Sequence, residues 1–583
     1  MIETFNSYKA VKLAIPFTTP NGNIFSHTIA LTFFSKSNEI IGYFELGYIP
    51  TSEIYEKIFN HEDINLDYCF VENFSLTAYR KIFEFEKKSQ VNIKSFSAKH
   101  AFFVARITND FTFAYFEDGN VNFESTYFIK GILDFKNVQF GKGYKNFSYL
   151  FVKEADIDFS LVNFGEGDVS FKNSIFLDGE KNFRDAVFGP GSRNFNNVNF
   201  GNGNVFFIHT TYDTGKTSFK IAKFGKGIVD FHYSKFTKGD IGFEKTDFGT
   251  GNVDFSKVEF GNGRINFNRS VFHGELISFE GASLSSGRLI AKKCEFSNGI
   301  LNFEYLNFKN ANIILDLAKL QDREISFKHS IVNKLSMDSC NFNKYVNLHL
   351  QQCASLSLKD TIVRDIIDMQ SSDNILKIDA FNFEGMQLLG IFLVEWEHNN
   401  LYQLIIQQKE TSISQKAEQF RILKKSFSDT GRYDDEDAAY VEFKRFEAKA
   451  KLQKVKQKKI LHRLSHYIAY WLQWLLFDKV GKYATDPIRV LISMFFVYVM
   501  FSSIYVLTLW LKLGDIASGI GGEHAQIGIL AKSFFFGAIT FLTIGYGDFY
   551  PMGIIRVLSG IEGFVGVFMM SYLVVAFVRK ILR

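Results

Sequence analysis

The sequence predicts a multidomain chain. It combines a parallel β-helix of 12-residue repeats, a helical hairpin connector, and an α-helical domain with two membrane spans around a short re-entrant helix. Three observations carry this reading: a twelve-residue spacing of Phe and Gly across 119–335, a switch to helical periodicity across 412–460, and two long apolar runs after residue 487. At 583 residues the chain exceeds what one hydrophobic core supports.

The repeat explains the composition. Phe occurs 68 times, far above ordinary usage. Stepping by twelve from Phe123 to Phe327 meets Phe at sixteen of eighteen positions, with Ala291 and Leu315 the exceptions. The same step from Phe128 to Val332 meets Phe at thirteen, and Gly recurs from Gly119 at fourteen of eighteen. In Gly251-Asn-Val253-Asp-Phe255-Ser-Lys-Val258-Glu-Phe260 the pairs Val253/Phe255 and Val258/Phe260 each share one strand face. Every unit therefore holds two short strands, joined by one tight corner and one Gly-rich corner where positive φ is needed. Ala186, Thr210, Ala222, Ser234, Thr246, Ser270, Ala282 and Cys294 recur two positions before the second Phe, leaving room for neighbouring coils to interdigitate. A twelve-residue coil is too small to enclose two Phe, so two units, 24 residues, make one four-sided coil. Nine such coils at a strand spacing of ~4.8 Å give a rod of roughly 45 Å. After residue 340 the step shortens to five, through Leu348, Cys353, Leu358 and Val363. That stretch resembles the pentapeptide-repeat family, which implies a four-sided right-handed β-helix. The β-helix is assigned to 111–395, and residues 1–110 to an α/β cap over its open end.

Charge and chemistry exclude several classes. A net charge of +4 gives no reason to expect nucleic acid. Cys69, Cys294, Cys340 and Cys353 lack metal-ligand spacing and read as buried reduced thiols. His209, His232 and His273 do not share a repeat phase and read as surface residues. With no nucleophile–base pattern, no metal constellation and no phosphate loop, neither an enzyme nor a cofactor is expected.

The connector follows. Ala417, Phe420, Leu423 and Phe427 recur at helical spacing, Gly431 is placed to end that helix, and Asp434-Asp435-Glu436 begin another at its positive end. A helix hairpin is assigned to 410–460. Its basic end, Lys449 to Arg463, precedes an amphipathic segment carrying Tyr467, Tyr470, Trp471 and Trp474. Cations beside Trp and Tyr suit an anionic membrane surface, so 461–480 reads as an interfacial helix.

Asp486-Pro487 is a helix start, and Ile488–Leu511 runs apolar for about 36 Å, enough to span a bilayer. Gly553–Val578 is a second span. Lys479, Lys482 and Arg489 flank the first span, and Arg579, Lys580 and Arg583 follow the second, whereas the loop between offers Lys512 against Asp515 and Glu523. Charge bias therefore places both termini, and the β-helix, in the cytosol of a protein of the inner or plasma membrane. The N-terminus lacks the basic start and apolar run of a signal peptide, in agreement.

Between the spans, residues 532–542 form an apolar run too short to cross, followed by Thr543-Ile544-Gly545-Tyr546-Gly547-Asp548. Consecutive carbonyls can face one axis only where the backbone alternates hand, which Gly545 and Gly547 permit. This arrangement is similar to the two-transmembrane bacterial potassium-channel pore family over 487–583. The resemblance implies a homotetramer in a lipid bilayer that conducts K+ passively. K+ would be held by Thr543, Ile544, Gly545 and Tyr546, with Asp548 at the outer mouth. Gly563 and Gly566 become candidate gating hinges in the second span, and Glu562 a candidate filter support. No span carries a basic residue at every third position, so no voltage sensor is expected. The β-helix is left as a regulatory or assembly domain with a possible cytosolic protein or ligand partner.

Overall fold

The computed structural model describes residues 5–153, 155–320, 322–370, 377–455, 460–518 and 527–582, the side chains of 460–463 excepted. Lys456, Lys458, Lys459, Arg463, Glu523 and Arg583 of the charge arguments above lie outside these residues or side chains. The chain divides into two compact units, Met1–Gln408 and Lys409–Arg583.

The first unit is a β-solenoid of about fourteen turns. Its longest parallel ladder has 14 strands and the opposite one 13. Pairing joins residues 24 apart, as in Val205↔Val229 and Thr217↔Ile241, so two 12-residue units close each coil. Shorter ladders, such as Val187–Phe188 with Thr211–Tyr212 and Phe151–Lys153 with Ile175–Phe176, form the other two sides. The Phe side chains fill the interior in a fixed pattern. Rings 24 apart stack, as in Phe171–Phe195 (5.1 Å, 5°), while rings 12 apart meet edge to face, as in Phe171–Phe183 (5.8 Å, 89°). Both are favourable quadrupole arrangements, and this is why the chain spends Phe so regularly.

Two features depart from the expectations. The ladder extends beyond nine coils: Ile64–Asn65 already pairs with Phe96–Ser97, and Ile391–Leu393 closes the far end. Thirteen spacings give about 62 Å. The first coils depart from 24 residues because they carry helices: Gly47 pairs with Cys69 around α1 (Thr51–Phe59), and Ile64 pairs with Phe96 around α2 (Leu76–Ile82), which hides the period. The last coils pair at intervals of 21 and then 25 residues, through Ile331↔Gln352 and Gln352↔Lys377. The second departure lies in the corners. The Gly-rich corner behaves as expected: a Cβ on Gly287 (φ 124°) would collide with the Gly263 carbonyl one coil below. The tight corner, however, also turns through positive φ, and it uses ordinary residues, Asn173, Asp185, Tyr233 and Lys257 among them. Each such turn costs about 1–2 kcal/mol. The preceding Asp or Asn offsets part of this by accepting the amide two residues on, as Asp254 does from Ser256 at 2.7 Å.

Among the described residues of the twelve-residue repeat, four cations are buried and satisfied by backbone carbonyls. Arg323, 1% exposed, donates to the carbonyls of Gly274, Glu275, Ser297, Asn298 and Ile300. Lys145, Lys181 and Arg193 are held similarly, and burial pushes both lysine ammonium groups down to about 8. The four cysteines are buried free thiols. At the N-terminal end an antiparallel sheet, Ser7–Leu13, Thr28–Phe34 and Ile40–Tyr48, merges with the solenoid through Gly47–Tyr48 beside Cys69–Phe70. At the other end α3 (Leu401–Ile406) buries Leu401, Leu404 and Ile405, and Gln408 Nε2 donates to the Phe381 carbonyl.

The second unit is helical. A capping box at Ser412/Gln415 starts α4 (Ile413–Asp429), which buries Ala417, Phe420, Leu423 and Phe427. Gly431, at φ 71°, turns the chain into α5 (Tyr433–Val455). Next comes α6 (Ile460–Gln473), continued by a π-helical turn over Trp474–Lys479. Leu464, Ile468, Trp471 and Leu475 form an exposed apolar stripe along this segment. Three long helical elements complete the unit: α7 (Pro487–Trp510), α8 (Ile529–Phe541) and α9 (Ile555–Ile581).

Candidate functional site

The Asp486 carboxylate accepts from the Arg489 amide at 3.0 Å, and Pro487 occupies the first turn of α7. The most apolar stretches of α7 and α9 have mean hydropathies of 2.3 and 2.0, yet only 28% of each is buried. A core helix of a water-soluble domain would be mostly covered, so these faces suit lipid or neighbouring chains. Helix α8, at about 20 Å, is too short to cross a bilayer. It packs between α7 and α9 through Phe536, Ile539 and Phe541. A two-stranded ribbon, Gly514–Ser518 with Phe549–Gly553, ties the segment after α7 to the segment before α9.

Thr543 to Gly547 leave the C-terminal end of α8. The Ile544 amide still donates to Ile539, and then the backbone alternates hand: φ is positive at Thr543 (55°), Gly545 (60°) and Gly547 (84°), but not at Ile544 or Tyr546. The glycine pair was expected to do this. Thr543 joins them, with its hydroxyl turned back to the Leu542 carbonyl at 2.7 Å. The whole segment is exposed on the protomer, Tyr546 to 66%, and a Cβ on Gly545 or Gly547 would meet nothing within 4 Å. Asp548 follows, half-buried, where the ribbon begins.

Behind α8 lies Glu562, fully buried in α9. The Tyr505 hydroxyl of α7 donates to its Oε2 at 2.5 Å. A buried carboxylate at this depth is costly without partners, and the tyrosine supplies one. Four residues on, a Cβ at Gly566 would collide with the Phe541 carbonyl, so this glycine lets α9 approach the end of α8. At Gly563 the nearest atom to such a Cβ is the Thr540 carbonyl oxygen at 3.9 Å, and α9 runs unbroken through both glycines.

Residues 493–583 match the family model described as ion channel. The chain carries an ion channel domain at its C-terminal end. No curated protein and no solved structure matches the chain.

The end of the channel domain's last helix is gripped by the hairpin. Arg579 lies 2.8 Å from Asp437 and 3.9 Å from Glu436, with its guanidinium 4.2 Å from the centre of the Tyr440 ring. Lys580 reaches Asp434 at 3.0 Å and Asp437 at 3.3 Å. The negative C-terminal end of α9 thus presents cations to the acids gathered at the positive start of α5, and each set complements its own helix as well. A second link holds the elbow before α7. Arg445 of α5 forks onto Asp478, which is 5% exposed, and that carboxylate raises the affinity of the guanidinium for its proton. The Tyr572 hydroxyl of α9 donates to the Phe477 carbonyl and accepts from the Ala484 amide. Between them Lys482, Tyr483 and Ala484 all have positive φ, a strained left-handed turn made without glycine.

In the sequence Arg579 and Lys580 read only as topology charges, and Asp434–Glu436 only as a helix start. Their opposite signs were the available signal for a contact. Nothing in the spacing marked Tyr505 as the partner of Glu562. Elsewhere, Asp230, His232 and Asp254 bring ligand atoms within 4.8 Å of one another, the one such grouping among the described residues. Asp230 there accepts the His232 amide and so serves its corner of the coil.

Proposed function

We propose that the chain is one subunit of a homotetrameric potassium-selective channel, with Thr543–Gly547 as the ion-coordinating filter. The observation that carries this is the alternating-hand segment exposed at the tip of a helix too short to span. Alternation aims successive carbonyls toward one side, and a column of such oxygens replaces the water around a bare K+. One strand supplies only a quarter of that shell. Four copies around an axis complete it and cover Tyr546, which in the protomer does not wedge against its own pore helix. Asp548 then adds negative charge at the mouth, and the C-terminal end of α8 points its partial negative charge toward the path.

Charge bias puts the hairpin and both termini on the cytosolic side of the inner or plasma membrane. The hairpin's grip on Arg579 and Lys580 gives the cytosolic regions a route to the inner end of the pore, and conduction itself is passive, without a cofactor. Gly563 has the room to flex, so it is the better hinge of the two glycines, whereas Gly566 serves packing. Glu562 braces the filter through α8. The experiment is K+ flux from liposomes holding purified protein, paired with subunit counting by cross-linking. Flux that Gly545→Ala abolishes, from a species of four subunits, supports the reading. Flux unaffected by that change, or a dimer, refutes it.

A further inference from the structure

We propose that Glu562, Ser502 and Ser533 form a hydration site behind α8, where buried water ties α7, α8 and α9 together. Each of the three residues is fully buried, and each comes from a different helix. Among the described residues, Glu562 Oε1, Ser502 Oγ and Ser533 Oγ have no hydrogen-bond partner. Buried polar atoms are almost always paired, so three unpaired oxygens on converging helices point to a ligand that both donates and accepts.

The serine conformations point the same way. Ser503 and Thr508 in α7 and Ser571 in α9 take the usual course for helix hydroxyls, donating to the carbonyl four residues back at 2.7–2.9 Å. Ser502 and Ser533 do not, and their hydroxyls stay free for another partner. The site is centred on Gly537. A Cβ built there would lie 2.5 Å from Ser502 Oγ and 3.5 Å from Glu562 Oε1. The two oxygens are therefore no farther apart than the sum of those distances, a span that one water, or two in series, can bridge. Ser533 sits one turn before Gly537 on the same face of α8. An apolar occupant would leave all three oxygens unsatisfied, the costliest outcome for buried polar groups. Water, with two donors and two acceptors, satisfies them and joins the Tyr505–Glu562 pair to α8. The inference does not depend on which ion the channel passes.

The test is a structure of the full-length protein in lipid nanodiscs, at a resolution that shows ordered water, for wild type, Gly537→Ala and Ser502→Ala/Ser533→Ala. Wild type should show a solvent peak within hydrogen-bond distance of Glu562 Oε1 and at least one serine Oγ. Gly537→Ala, whose methyl group would press on Ser502 Oγ and move it, should displace or lose the peak while keeping the Tyr505–Glu562 bond. If Gly537→Ala does not assemble, the double serine variant should show the peak lost or displaced. Direct bonding of Glu562 Oε1 to a serine without solvent overturns the proposal. So does a peak that strengthens when Tl+ replaces K+, which identifies a cation, or a peak unchanged in the double serine variant.

Discussion

Replacing Arg579 by Gln should release the last helix of the channel domain from the hairpin. Arg579 and Asp437 are 19% and 9% exposed and 2.8 Å apart, nearly the geometry of a buried pair. Removing one partner of a fully buried pair costs about 3–5 kcal/mol. Here the Asp437 carboxylate keeps Lys580 at 3.3 Å, which reduces the pairwise share to about 1–2 kcal/mol. Losing the Tyr440 face adds about 1 kcal/mol. A cycle of Arg579→Gln, Asp437→Asn and the double variant isolates the pair. Read as open probability in reconstituted bilayers, a coupling of about 1–2 kcal/mol shifts the open–closed equilibrium about 5- to 30-fold. The coupling should weaken in higher salt, since part of the cluster is solvated. Single effects that add within about 0.3 kcal/mol would refute a working contact between these residues.

Three further outcomes follow from the same structure. Glu562→Gln keeps the hydrogen bond from Tyr505 and should retain flux, whereas Glu562→Leu strands the Tyr505 hydroxyl and should cost about 1–3 kcal/mol of stability in thermal unfolding. Arg323→Met leaves five corner carbonyls without their donor, and urea unfolding of residues 1–408 should report a loss of about 3–5 kcal/mol. Asp134 is pushed up to about 6, chiefly by burial and further by the neighbouring charges of Asp158 and Asp110. The unfolded chain then gives up this proton at lower pH than the folded one, so solenoid stability should fall as pH rises from about 4 to about 6. Asp134→Asn should flatten that slope in pH-dependent melting curves, and an unchanged slope would assign it to other groups.

Much of this molecule was legible because its physics is periodic. A coil must enclose its Phe side chains, and stacking repeats the demand every 24 residues, so Phe171, Phe183 and Phe195 announce the solenoid without any structure. The alternating-hand segment after α8 was legible for a different reason: Gly545 and Gly547 are spaced by a backbone requirement, whatever their surroundings. The tight corners were not, since Asn173, Tyr233 and Lys257 adopt positive φ only because the coils above and below hold them there. Arg323 was hidden as well. It stands where the repeat calls for Gly, and nothing local reveals that its guanidinium fills the corner from inside. Contacts between distant helices were equally hidden. Tyr505 and Glu562, or Asp437 and Arg579, become partners only when helix packing sets their faces together.

The most direct measurement is the reversal potential of purified protein in a planar bilayer. With a tenfold K+ gradient balanced by Na+, a potassium-selective pore should reverse at about 59 mV in magnitude, on the side set by K+. Currents reversing near zero under the same gradient would mean that Thr543–Gly547 does not select K+.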